Sequence, residues 1–164
     1  MINKKLYAAL GCLLFSSSLS AATLGDPAPA CTSSSISDKQ VLDVANLKGK
    51  VVYMDFWASW CPPCKTSFPS LDRLYHEFKD QGFEVVAINL DEEKSDAEEF
   101  LQNNPVNFSI GYDGEGKCPR SFDVKAMPTS FIIDKKGIIR EIHLGFDQDT
   151  PNKIRSTILT LLNE

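Results

Sequence analysis

"VVYMDFWASWCPPCK", residues 51–65, runs from an apolar stretch into two cysteines separated only by prolines. Its first half, Val51–Trp57, is β-branched and aromatic, the pattern of a strand covered on both faces. Asp55 interrupts that run with a carboxylate. Its second half sets Cys61 and Cys64 two residues apart, a spacing shared by structural disulfides, metal sites and redox centres. The flanking sequence has to decide between them.

Immediately downstream, "KTSFPSLDRLYHEFKDQG" places Phe68, Leu71, Leu74, Tyr75 and Phe78 at helical spacing. Gly82 is the expected stop, and Pro69 falls inside the helix, where it should kink rather than end it because the apolar pattern resumes in phase. "FEVVAINL" predicts a second buried strand. "DEEKSDAEEFLQNNP" predicts an acidic loop and a helix, with Ser95 and Glu98 in a capping-box pattern. "VNFSIGYD" predicts a third strand, "GEGKCPRSFDV" a loop with a short helix, and "TSFIIDKKGIIREIHL" two strands around a Lys-Gly turn. "PNKIRSTILTLLN" closes the chain as a helix with proline near its first turn. Strand, helix, strand, helix, hairpin and helix make an α/β class, a central mixed sheet with helices on both faces.

Upstream, "GDPAPACTSSSISDK" reads as an extended lead-in and "QVLDVANLKGK" as a short alternating stretch with a turn at Gly49. Before them, "MINKK", the apolar "LYAALGCLLF" and "SSSLSAAT" have the form of a secretory signal, with cleavage expected after Ala22. The expected organisation is a signal peptide over residues 1–22 and one domain over residues 23–164. A retained N-terminal anchor is the alternative, although the apolar run is short for a bilayer. Cys12 sits in a partial lipoprotein box, but Ala9 stands where that box wants leucine. At 164 residues, 43% hydrophobic and 10% aromatic, the chain can build one real core. A formal net charge of −5 argues against a general nucleic-acid surface, which is normally basic.

With the signal removed, Cys31, Cys61, Cys64 and Cys118 remain, an even set suited to an oxidising compartment. If the Trp57 strand hands over to a helix near Cys61, that sulfur sits at a helix N-terminus, where free N–H groups stabilise an anion. The thiolate is the attacking species in disulfide exchange, so Cys61 is the expected nucleophile and Cys64, one turn on, the resolving thiol. Pro62 and Pro63 carry no N–H and withhold donors from the thiolate, which biases the pair towards a reductant. An ionised Asp55 inside a covered strand is costly, so its pKa should be raised, and it is placed to accept the proton of Cys64. A strand-end aspartate reaching solvent is the bland reading. In "KAMPTSF", a cis Met127–Pro128 bond would expose the Met127 backbone to an incoming chain, whereas a trans proline opening a strand is the commoner case.

"DFWASWCPPCK", Pro69 and "MPTSFIID" together resemble the thioredoxin superfamily. "GDPAP", "NLKGK" and the extra segment from about Glu84 to Asp113 resemble its secreted TlpA/ResA-type reductases. The resemblance covers roughly residues 25–164. It implies a thioredoxin-like fold with an N-terminal extension and a central αβ insertion, and a cis Pro128 facing Cys61 and Cys64 across the active site. Cys61, Cys64, Asp55 and Pro128 are then the expected catalytic set, with Trp60, Pro62, Pro63 and Met127 meeting the substrate. Some relatives lack the strand aspartate and use an acidic residue after the next strand, which Glu92 matches, so Glu92 is the alternative acid/base.

Two cysteines lie outside that motif. Cys31 and Cys118 could form a structural bridge; independent thiols, or an accessory redox role for Cys118, are the alternatives. Trp57 reads as core and Trp60 as part of the surface shielding Cys61, while His76 and His143 read as ordinary. The expected activity is periplasmic or secreted thiol–disulfide exchange that reduces disulfides in client proteins, with cytochrome c maturation among the contexts the resemblance suggests. A membrane electron-donor protein is the expected partner, nucleic acid is not, and the chain should be a monomer. No cofactor beyond the Cys61–Cys64 disulfide is expected, and no metal, since a single CxxC without a second knuckle is weak zinc evidence. An oxidase or isomerase is the runner-up, a zinc-stabilised domain or a non-catalytic binding module the different-class alternatives. No isolated peroxidatic cysteine with Thr/Ser and Arg is present to suggest a peroxidase.

Overall fold

In the computed structural model, residues 22–38 and 40–164 are described. The signal-peptide reading, apart from Ala22, and the Cys12 reading lie outside these residues. The elements run β1 (Thr32–Ser35), β2 (Val41–Asp43), β3 (Val51–Trp57), α1 (Pro62–Phe78), β4 (Phe83–Asn89), α2 (Lys94–Asn103), β5 (Ser109–Tyr112), α3 (Lys117–Ser121), β6 (Thr129–Ile133), β7 (Ile139–Leu144) and α4 (Thr150–Leu162). They form one mixed sheet in the order β2-β1-β5-β4-β3-β6-β7. β3, β4 and β5 are mutually parallel, and β6 and β7 continue the sheet antiparallel from β3.

β3 lies inside the sheet between β4 and β6, and every residue in it is buried. Its side chains alternate between two apolar layers, as the two-residue strand period requires. Val51, Tyr53 and Trp57 join the layer containing Cys61, Cys64, Phe68, Leu71, Ile154 and Ile158, covered by α1 and α4. Val52, Met54 and Phe56 join the opposite layer with Cys31, Cys118, Phe122 and Phe131. α1 buries Phe68, Leu71, Leu74 and Phe78. It runs through Pro69, which is exposed, without ending there. After α1 the chain tightens into a 3-10 turn over Lys79–Gln81 and reverses at Gly82, whose φ of 94° favours glycine.

The structure departs from the sequence reading in two places. The Ser-rich lead-in contains β1, which pairs antiparallel with both β2 and β5. Gly111 of β5 permits this close approach, since a Cβ there would stand 2.2 Å from Ser33 Oγ. The capping box is absent: α2 starts at Lys94 with Glu93 as N-cap, and no side chain caps it. Among the described residues no helix is long and apolar enough to cross a membrane.

Candidate active site

β3 ends at Trp57, and a short turn delivers Cys61 to the N-cap of α1. Its Sγ takes the role a Ser or Asp oxygen usually fills, accepting the Cys64 N–H at 3.3 Å. Pro62 and Pro63 occupy the first two helical positions, so no N–H from either is directed at the sulfur. Cys61 and Cys64 form a disulfide with an S–S distance of 2.03 Å. Cys64 is fully buried, whereas Cys61 keeps 4% of its surface, so of the pair only the first residue meets solvent. Cys61 is therefore less exposed than an open nucleophile would be. It is shielded in this oxidised state, and Trp60 beside it stands 68% exposed. Pro62 is exposed and Pro63 half-buried on the same surface.

The Met127–Pro128 peptide bond is cis. Thr129 pairs with Phe56, which sets Pro128 level with Trp57, at the sheet end where the chain turns towards Cys61. Met127 is half-buried and packs on the layer that holds both active-site cysteines. The Pro128 carbonyl is taken by the Gly145 N–H at 2.8 Å.

Asp55 lies on the cysteine-bearing face of β3, 1% exposed, and its Oδ2 has no hydrogen-bond partner. Burial pushes its pKa well above the ordinary carboxylate range. The neighbouring Tyr53 hydroxyl donates to Ser130 Oγ at 2.7 Å, and burial first, then the Asp55 charge, raises its pKa. Trp57 is fully buried between Phe68 and Phe100, with ring centroids at 4.8 and 4.9 Å, and its Nε1 is unpartnered.

Glu92 does not join this group. It is exposed, and its backbone carbonyl, not its carboxylate, accepts the Tyr112 hydroxyl. The inward-turned acid after β4 is Asp91, buried to 1% exposure, which the sequence reading passed over. Its carboxylate accepts the Ser59 N–H and hydroxyl at 3.1 Å and the Asn89 side-chain amide at 2.7 Å. Asp91 thereby anchors the turn that carries Trp60 and Cys61. Nothing in "NLDEEK" singles it out: the Leu90 N–H bonds the Trp57 carbonyl, and that contact turns the next side chain towards the Cys61 turn.

Cys31 and Cys118 form a second disulfide across 87 positions. It lies in the layer on the other side of the sheet from Cys61–Cys64. Among the described residues, no group of three or more His, Cys, Asp or Glu is arranged to hold a metal ion. A helix-tip disulfide whose first residue meets solvent, with a buried carboxyl on the same face of the sheet, can accept and return two electrons by exchange with another thiol pair.

A family model described as Redoxin matches residues 23–158. The chain is 36% identical over 104 residues to the thiol-disulfide oxidoreductase ResA of Bacillus subtilis, a match covering 63% of this chain and 58% of that protein. It is 34% identical over 125 residues to the ResA of Oceanobacillus iheyensis, covering 74% of this chain and 65% of the relative. The matches thus span about three fifths of these two relatives' lengths. Among solved structures, a Chlorobium tepidum protein provisionally assigned as thiol:disulfide interchange protein DsbE superposes with a TM-score of 0.83 at 39% identity. That match covers 87% of this chain and 99% of the other.

Proposed function

The chain belongs to the Redoxin family, and from that premise we propose that it is a thiol–disulfide oxidoreductase using Cys61 and Cys64 to reduce disulfides in client proteins. The observation that carries the reading is the placement of the pair: Cys61 caps α1 and keeps the little surface the pair exposes, with Cys64 fully buried behind it. In the reduced enzyme the Cys61 thiolate attacks a client disulfide and one client sulfur leaves with the electron pair. Cys64 then attacks Cys61, gives its proton to Asp55, and releases the second client sulfur. Trp60, Pro62, Pro63, Met127 and Pro128 form the surface on which the client lies, and the Met127 backbone pairs with its chain. The two prolines limit hydrogen bonding to the thiolate and favour net reduction. Residues 1–22 act as a secretory leader and residues 23–164 as the mature domain in the periplasm or beyond. A membrane protein recharges the pair with electrons, and maturation of c-type cytochromes is a fitting context.

Insulin reduction driven by dithiothreitol tests the reading. Turnover by the intact protein and its loss in Cys61→Ser support it, and Cys64→Ala should accumulate mixed disulfides at Cys61. Unchanged turnover in Cys61→Ser overturns it. Equilibration with glutathione decides direction: a potential near the strong oxidants would make the protein an oxidase instead.

A further inference from the structure

Trp60 is not held in place by a core. It stands 68% exposed beside Cys61 and, among the described residues, joins neither apolar layer. Its position is set by its backbone, in the turn between β3 and α1. On the α1 side of that turn the Cys61 N–H reaches the Ala58 carbonyl at 3.1 Å. On the β4 side the Leu90 N–H takes the Trp57 carbonyl at 2.9 Å. Between them lies half-buried Ser59, directly before Trp60, whose N–H is shared by both oxygens of Asp91 at 3.1 Å.

The surroundings of the Asp91 carboxylate are donors. Besides the Ser59 N–H it accepts the Ser59 hydroxyl at 3.1 Å and the Asn89 side-chain amide at 2.7 Å. That amide cannot turn over to offer its oxygen instead, because the oxygen already takes the Asp91 N–H at 3.1 Å. Asn89 is itself fully buried, and its backbone carbonyl receives the Asp113 N–H at 3.0 Å. A carboxylate accepts at both oxygens, whereas an amide of the same shape would set an N–H against one of these donors. Asp91 is 1% exposed, so a donor that lost it would have little water to turn to, and each broken bond is costly. A carboxylate has about four acceptor sites, and these contacts fill them, leaving none from which to take a thiol proton.

Resting on the thiol–disulfide reading above, exchange with a protein needs a surface that brings the client to Cys61, which keeps only 4% of its own. We propose that Asp91 is a positioning residue for client capture: through Ser59 it fixes Trp60 as the platform on which a polypeptide client docks. Its hydrogen bonds end at Ser59 and Asn89, so it acts through the turn and not on the reacting sulfurs. An aromatic already held in its bound position spares the complex the cost of ordering it. The substrate this favours carries its disulfide on an exposed stretch of polypeptide. A small disulfide such as that of glutathione has little chain to lay across Trp60 and gains less from the arrangement.

Reduced protein is mixed with insulin or with glutathione disulfide and quenched for mass spectrometry. This follows the mixed disulfide at Cys61 as it forms and as Cys64 closes the ring. The ratio of the two formation rates, insulin over glutathione disulfide, measures client preference. Asp91→Ala should lower that ratio about tenfold, the lower end of what a hydrogen bond to a carboxylate is worth. Trp60→Ala should lower it by a similar factor, as truncating an aromatic anchor does. In the double variant Asp91→Ala/Trp60→Ala the two losses should not multiply, because one residue acts through the other. Should Asp91→Ala fail to fold, Asp91→Asn, which keeps the shape but sets an N–H against a donor, must lower the ratio as well. A ratio within about twofold of the parent protein, or losses that multiply in the double variant, overturns the proposal. So does a loss confined to ring closure, the mark of an acid/base role for Asp91. Absence of any mixed disulfide in the parent protein overturns the exchange reading itself.

Discussion

At the scale of single residues, Asp55 carries an unfavourable burial that the fold retains. Its folded pKa is raised, so between the unfolded value near 3.9 and the folded value the native state binds more protons than the unfolded chain. Stability therefore falls as pH rises through that window. Asp55→Asn should be more stable than the parent at pH 7, with the gain gone below about pH 4. Urea unfolding of the oxidised protein at both pH values checks the sign. The same variant should slow resolution by about a hundredfold, as loss of a proton acceptor does. Asp55 was legible in the sequence because a charge inside an apolar strand stands out. Asp91 was not, because in "DEEK" it is one acid among several, and only the contact between Leu90 and Trp57 turns it inward.

At the scale of elements, α1 sets the redox character through what its first turn lacks. The Cys64 N–H reaches Cys61 Sγ, while positions 62 and 63 contribute none. Replacing Pro63 by His should supply a donor, lower the Cys61 pKa and make the protein a stronger oxidant. A tenfold change in the equilibrium with glutathione corresponds to about 30 mV. A potential that does not move would show that the prolines act only as stiffeners. The long elements were readable for a simple reason: β3, α1, β4 and α4 each bury a face dense enough to leave a period in the sequence. β1 left none, because Thr32–Ser35 has no apolar side chain and is a strand by virtue of its neighbours.

At the scale of the whole molecule, the Cys31–Cys118 bridge ties the N-terminal segment to α3. Closing a loop over 87 positions restrains the unfolded chain by about 4 to 5 kcal/mol in the entropy model. The double variant Cys31→Ala/Cys118→Ala should lose stability of that order in denaturant titration while still attacking glutathione disulfide through Cys61. The sequence offered these two cysteines as partners, but it could not show on which side of the sheet they meet. They meet beneath Phe56, Phe122 and Phe131, while the working pair sits across the strands with Trp57 and Phe68. The sheet thus acts as an insulating wall between two sulfur circuits. Under the proposed function, a reductant docked at the tip of α1 meets Cys61 and is kept by the sheet from the rivet buried on its other face.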